Sequence, residues 1–403
     1  MADPRSISID AFDYPLPDDR IATHPTAERH ASKLLVYRSG TLSDHTFAHL
    51  GEQLPDGTLL VLNETRVLPV RLFFQKATGG VVEIFLLEPS ESGAVEQTLD
   101  AREACQWNCL VRGLKKWKQG PVHMHVEVEG NTVRVAATQV ARRDDDVQIA
   151  FSWEGGHPWS SLIEAAGRMP LPPYIHREAT EEDAERYQPV FSRVQGSVAA
   201  PTASLHFDDT VFAGLTARGV SQTEVVLHVG AGTFKPVSAA HIGDHAMHRE
   251  YLEVSRTSLE TLVAALDGPV IPVGTTALRT IESLYWLGVM ALESGLEDLP
   301  QLPQWFPYQA RECPSAADSL GALMTHLDRT GSDRLRAYTG LMIAPGYRFR
   351  VAAGLITNFH QPKSTLLLLV SALIGDDWQR IYTHALERDY RFLSYGDGSL
   401  LLP

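Results

Sequence analysis

Val122-His123-Met124-His125-Val126-Glu127-Val128 alternates apolar and polar residues with a period of two, as a strand buried on one face requires. Glu129-Gly130-Asn131 supplies a turn, and Thr132 to Val140 runs back beside the first strand. Arg142 to Asp146 reads as a polar loop, and Val147 to Trp153 as a further strand. Short strands with regular turns from about residue 74 to 154 predict a small antiparallel barrel or sandwich. His123, His125 and Glu127 share one face of the first strand. A solvent-facing side accounts for them more simply than a metal site does.

Outside this segment the pattern changes to strand, loop and helix. Thr58 to Leu62 leads into Asn63-Glu64-Thr65-Arg66, Pro269 to Val273 into Gly274-Thr275-Thr276, and Leu355 to Phe359 into His360 to Thr365. Units of this kind build an α/β domain. The β-rich segment interrupts them. The sequence therefore predicts a discontinuous α/β domain, 1–73 and 155–403, with a small all-β domain, barrel or sandwich, inserted at 74–154. The length of 403 residues leaves room for two or three cores.

Composition narrows the class. Hydrophobic residues make up 44% and charged residues 21%, as in soluble globular proteins. The N-terminus carries no apolar signal segment. The most apolar run, Leu366 to Val370 extended to Ile374, is well short of the ~20 residues a membrane span needs and reads as a buried helix. Cys105, Cys109 and Cys313 form no CxxC pair, which argues against a disulfide framework or cysteine zinc site and fits a reducing cytoplasm. The net charge of −14 counts against a general nucleic-acid binder, although a local patch can still contact phosphates. The best linear candidate is Arg112-Gly113-Leu114-Lys115-Lys116-Trp117-Lys118; a solvated turn explains it equally well.

Five segments have the residue types of a site. Gly274 to Arg279 places a glycine turn, two threonines and an arginine at a helix start, where free N–H groups favour an anion. Arg279 suits a carboxylate or phosphate, or is an ordinary surface arginine. Asn358-Phe359-His360-Gln361-Pro362-Lys363-Ser364-Thr365 sits at a strand end, where ligands of α/β sheets bind. His228-Val229-Gly230-Ala231-Gly232-Thr233-Phe234-Lys235 follows the apolar strand Thr223 to Val229, and its glycines permit close approach of backbone to a ligand. His245, His248 and Glu250 form a compact cluster; on a helix the two histidines would share a face. Metal ligation, acid–base work and a structural cluster all remain open there. Pro170 to Ile175, Tyr187 to Phe191 and Ala199 to Phe207, with Thr202 and His206, read as stiff extended chain suited to a binding wall or a packed surface connection.

Taken in order, these segments resemble one family. Asp13-Tyr14 with Leu16-Pro17, Ser32 to Leu35, Asn63 to Arg66, Arg71-Leu72 and Pro170 to Ile175 match it. So do Ala199 to Phe207, Leu227 to Val237, His245 to Glu250, Val273 to Arg279, Leu355 to Thr365 and Tyr390 to Asp397. Together they are similar to the S-adenosylmethionine:tRNA ribosyltransferase-isomerases of queuosine biosynthesis. Gln361, where leucine is usual, and the Ala352-Ala353 pair, near which an aspartate is usual, depart from the pattern. The resemblance implies an α/β domain with an inserted barrel, which narrows the all-β segment to a small antiparallel β-barrel domain. It also implies transfer and isomerisation of the ribosyl part of S-adenosylmethionine onto 7-aminomethyl-7-deazaguanine (preQ1) in the tRNA anticodon, giving epoxyqueuosine and releasing adenine and methionine.

That chemistry gives the residues candidate roles. The sulfonium acidifies the ribose C5′ hydrogen, so a base is needed: His228, His248 or Glu250. Adenine leaves more readily when protonated, by His360 or His245. The methionine carboxylate needs a cation or a helix start: Arg279 with Thr275 and Thr276, or Lys363 with Ser364 and Thr365. Asn63, Arg66 and Thr202 are candidate base or phosphate contacts, with His206, Gly230, Gly232, Thr233, Lys235 and Asn358 beside them. No metal and no cofactor beyond the co-substrate are expected, nor any membrane; the expected form is a cytoplasmic monomer. The rival readings are a metal-dependent hydrolase built on His228, His245, His248 and Glu250, and a catalytically silent tRNA-binding relative.

Overall fold

The computed structural model describes residues 3–90, 95–118, 120–143, 146–230, 237, 239–309 and 313–403. Six strands close into an antiparallel barrel. Their order around it is Val147–Trp153, Ala104–Arg112, Val81–Pro89, Arg71–Gln75, Val122–Val128 and Asn131–Arg142. Val122, Met124, Val126 and Val128 point into the barrel, and His125 and Glu127 face solvent, as the alternation predicts. Trp107, Trp117, Phe74 and Phe151 fill the interior. The helix Trp159–Ala166 adds Trp159, Leu162 and Ile163 to the same core.

The remaining strands form two sheets that meet edge to edge. One has the order Val270–Pro272, Leu59–Asn63, Ser221–His228, Glu250–Ser255, Arg334–Thr339 and Gln301–Leu302. The other has the order Leu355–Asn358, Gly398–Leu402, Lys33–Arg38 and Thr41–Thr46. A parallel bridge between Val273 and Ile356 joins them. Leu355–Asn358, Val270–Pro272, Leu59–Asn63 and Ser221–His228 thus run parallel and side by side, so their C-terminal ends line one edge. Leu59–Asn63 and Val270–Pro272 are near-continuously apolar and buried at every position, as strands covered on both faces are. The helices Gly274–Ser294 and Thr365–Ile374 pack into the main core.

The fold is thus mixed α/β with a closed antiparallel barrel, as the sequence predicts. Barrel and sheet are tied by the parallel pair Thr65–Val67 and Val194–Ser197. The returning chain is fastened to the central strand: Val198 N–H donates to the Val229 carbonyl (3.0 Å), and Val229 N–H donates to Ser197 Oγ (3.1 Å). Among the described residues, no helix is long and apolar enough to cross a membrane.

Candidate active site

The parallel strand ends border a cleft, the kind of place where ligands of α/β sheets bind. Two helices begin on its wall. The chain turns from the strand Val270–Pro272 into the helix Gly274–Ser294 through Gly274, whose φ of +87° favours glycine. Among the described residues no side chain caps this helix start, so its first N–H groups can meet a ligand. The helix Thr365–Ile374 starts at Ser364, whose hydroxyl accepts from Leu367 N–H at 3.2 Å. Both helix starts, with Thr275, Thr276, Ser364 and Thr365, line the same cleft. Two positive dipole ends in one cavity favour a negatively charged group. Thr276 Oγ1 is buried and has no hydrogen-bond partner among the described residues.

A polar relay backs this wall. Thr202 Oγ1 donates to Asn358 Oδ1 (2.8 Å), and Asn358 Nδ2 donates to His206 Nε2 (3.2 Å). That donor makes Nδ1 the protonated nitrogen of His206, which faces Ser32 Oγ at 3.0 Å. His206 is fully enclosed, and burial lowers its pKa to about 3. His360 also lines the cleft. Its Nε2 lies 2.9 Å from Thr357 Oγ1, its N–H donates to the Tyr382 hydroxyl (3.0 Å), and its carbonyl accepts from the Tyr14 hydroxyl. Burial lowers its pKa to about 3, so it rests neutral.

His228 ends the neighbouring strand and faces a second cleft between sheet and barrel, which Gly230 also lines. Its Nδ1 lies 2.9 Å from Thr65 Oγ1, and its ring stacks on Tyr251 with centroids 5.7 Å apart. Burial lowers its pKa to about 4, against a smaller opposing pull from Glu253. A neutral imidazole of this kind accepts a proton without first losing one. Val229 lines both clefts, which therefore share a wall.

The other predicted residues lie apart. Asn63 is wholly buried and clamps the central strand: its Nδ2 donates to the Leu227 carbonyl and its Oδ1 accepts from Leu227 N–H, both at 3.1 Å. Arg66 is exposed beside the barrel linker. Arg279 is buried in an ion pair with Glu250, and its Nε donates to the Leu341 carbonyl (3.3 Å). Lys363 Nζ bridges Asp10 (2.9 Å) and Asp13 (3.0 Å), which raise its pKa. His245 and His248 lie on extended chain ahead of the strand Glu250–Ser255, so no helix face unites them; His245 is half-buried and His248 exposed. Gly232, Thr233 and Lys235 lie outside the described residues. Among the described residues, no three His, Cys, Asp or Glu side chains converge on a metal position.

Some site residues escape a linear reading. Tyr174 and Ser394 meet at the first cleft through their hydroxyls. Gly196 packs against the His228 ring. A glycine inside a short strand signals close approach, and Val194-Gln195-Gly196-Ser197 carried that signal.

Two clefts that share Val229 as a wall, one of them at the ends of parallel strands, suit an α/β enzyme. The chain belongs to the queuosine biosynthesis protein family, whose profile matches residues 9–401. An S-adenosylmethionine:tRNA ribosyltransferase-isomerase from Ruegeria pomeroyi is 42% identical over 404 residues, spanning 97% of this chain and 98% of that protein. A protein of the same name from Dechloromonas aromatica is 41% identical over 399 residues, spanning 98% and 97%. A crystal structure of an S-adenosylmethionine tRNA ribosyltransferase from Thermotoga maritima is 27% identical. It covers 97% of this chain and 99% of its own, with a TM-score of 0.46.

Proposed function

We propose that this chain transfers the ribosyl moiety of S-adenosylmethionine to 7-aminomethyl-7-deazaguanine in tRNA and isomerises it. The product is epoxyqueuosine-tRNA, with adenine and methionine released. The observation that carries this reading is end-to-end similarity, above 40% identity, to enzymes named for that reaction. The cleft at the strand ends supports it. On this reading the two helix starts and the hydroxyls of Thr275, Thr276 and Ser364 receive the methionine carboxylate. Neutral His228 removes the C5′ proton, and His360 assists the departure of adenine. The Thr202–Asn358–His206 relay keeps the first cleft in shape.

The exposed cations of the barrel would meet the tRNA backbone. Arg112, Lys115, Lys116 and Lys118 are all exposed. Lys76 Nζ donates to the Lys116 carbonyl (3.0 Å) and Arg142 to the Trp117 carbonyl (3.4 Å), which gathers more positive charge at the same end. The protein then works on tRNA in the cytoplasm as a monomer, with no metal and no further cofactor.

One incubation tests the reading. The protein is mixed with S-adenosylmethionine and tRNA bearing the aminomethyl base, with and without chelator, and adenine and nucleoside mass are followed. Adenine release with the matching mass gain is expected in both. Folded protein that yields neither product overturns the proposal, and activity lost only with chelator returns the metal-dependent reading.

A further inference from the structure

The segment from Ile9 to Tyr14 belongs to neither sheet, yet it holds the turn that forms one wall of the first cleft. Ile9–Phe12 is a short 3-10 helix whose Ile9 and Phe12 are buried. Phe12 stacks on Trp378 with centroids 6.0 Å apart, and Tyr14 meets Tyr382 edge-on at 5.1 Å. These rings anchor the segment on the main core. From there it grips both ends of the turn. The Tyr14 hydroxyl donates to the His360 carbonyl, and Lys363 N–H donates to the Phe12 carbonyl (2.9 Å). His360, Gln361 and Ser364 of the turn line the cleft, whereas the Lys363 ammonium is engaged by Asp10 and Asp13.

Every polar group of Lys363 is committed to chain far from it in sequence. Its N–H and ammonium hold the N-terminal segment. Its carbonyl accepts from Val237 N–H (3.2 Å), at the far end of the stretch that follows His228. Its φ of +54° is one that lysine rarely adopts, and such a conformation persists only where the surroundings hold it. The Asp10 and Asp13 side chains are 74% and 52% exposed. Pairs so exposed add little to global stability, because water and salt screen them. Their effect is local. The rings hold the segment down, and the charges set where the turn rests between the strand Leu355–Asn358 and the helix Thr365–Ile374.

We propose that Lys363 is a positioning residue for the co-substrate. Bridged by Asp10 and Asp13, it holds the His360–Ser364 turn, and with it one helix start, where bound S-adenosylmethionine needs them. It acts through the turn and touches no reacting atom. The kinetic part of this role rests on the reaction proposed above.

The test compares full-length wild type with Lys363→Met, Lys363→Arg and the double variant Asp10→Asn/Asp13→Asn. Hydrogen exchange is followed in protein alone, and the KM for S-adenosylmethionine and kcat are measured at saturating tRNA. Lys363→Met and the double variant should each raise that KM about fivefold or more, with kcat within about twofold. Both should speed exchange at 9–14 and 360–367 and leave the rest of the chain as protected as wild type. Lys363→Arg, which restores the charge, should return the KM toward the wild-type value. If Lys363→Met exchanges faster throughout and so folds poorly, the double variant decides, since it leaves Lys363 in place. A KM within about twofold of wild type in the double variant overturns the proposal, whether or not exchange has changed. If wild type releases no adenine, it is the reaction that fails. Equilibrium affinity for S-adenosylmethionine then replaces the KM under the same criteria.

Discussion

His228 occupies the space in which a side chain on Gly196 would stand: a Cβ there would lie 2.7 Å from Cε1 and 2.8 Å from Nε2 of the imidazole. The φ of +146° at Gly196 also disfavours any other residue. Gly196→Ala should therefore push the His228 ring off Thr65 and Tyr251. The expected result is a loss of about 1–3 kcal/mol in chemical denaturation. With the base displaced by an ångström or so, turnover should fall about 100-fold. Wild-type turnover in this variant would exclude His228 as the base.

Three enclosed histidines set the acid limb of stability. His206, His228 and His360 have folded-state pKa values of about 3, 4 and 3 against 6.5 for the free side chain. Below pH 6.5 the unfolded chain takes up protons that the folded chain refuses, so unfolding gains free energy as pH falls. Their contribution is complete above pH 6.5 and is lost progressively toward pH 3–4. Denaturation midpoints from pH 8 to 4 would show this slope. If His228 is the base, the acid limb of kcat/KM should fall near pH 4. A limb in the ordinary imidazole range would point to a different group.

Glu250 and Arg279 are both buried, and their contact is charged. Glu250→Gln keeps the shape and removes the charge beside the guanidinium. Breaking one side of a buried pair costs about 3–5 kcal/mol, so a clear drop in unfolding free energy is expected. A variant of wild-type stability that has lost turnover would instead assign Glu250 to the chemistry.

Ser364 serves one helix start at the first cleft by accepting from Leu367 N–H and donating to the Gln361 carbonyl (2.8 Å). Ser364→Ala should cost about 1 kcal/mol of stability. It should also raise the KM for S-adenosylmethionine with little change in kcat. An unaltered KM would move the carboxylate site elsewhere.

Replacing Lys115 and Lys116 with alanine should weaken tRNA binding and flatten its salt dependence. Each lost phosphate contact should lower the log–log slope by ~0.7–0.9. Titrations from low to moderate salt measure this, and an unchanged slope would remove the barrel's basic end from the interface.

Much of the fold was legible because it repeats a local rule. The alternation in Val122–Val128 and the strand-to-helix switch at Gly274 are both written in neighbouring residues. The site was legible only in part, because its geometry is long-range. Nothing near Asn63 reveals that its amide is engaged by Leu227, far along the chain. The lysine at 363 looks available until Asp10 and Asp13 arrive from the N-terminal segment. The histidines at 245 and 248 would have met on a helix, but extended chain separates them.

Arg71 and Arg168 exchange backbone hydrogen bonds, N–H to carbonyl in both directions, at 3.3 and 3.0 Å. The barrel and its covering helix therefore leave and rejoin the chain through a single doorway. Every strand of the two joined sheets is encoded outside that doorway. In the language of genes, the barrel is a cassette: a stretch that recombination can deliver or exchange without cutting the reading of the larger sheet. A lineage could thus exchange the cassette while the strands of the two joined sheets are inherited whole.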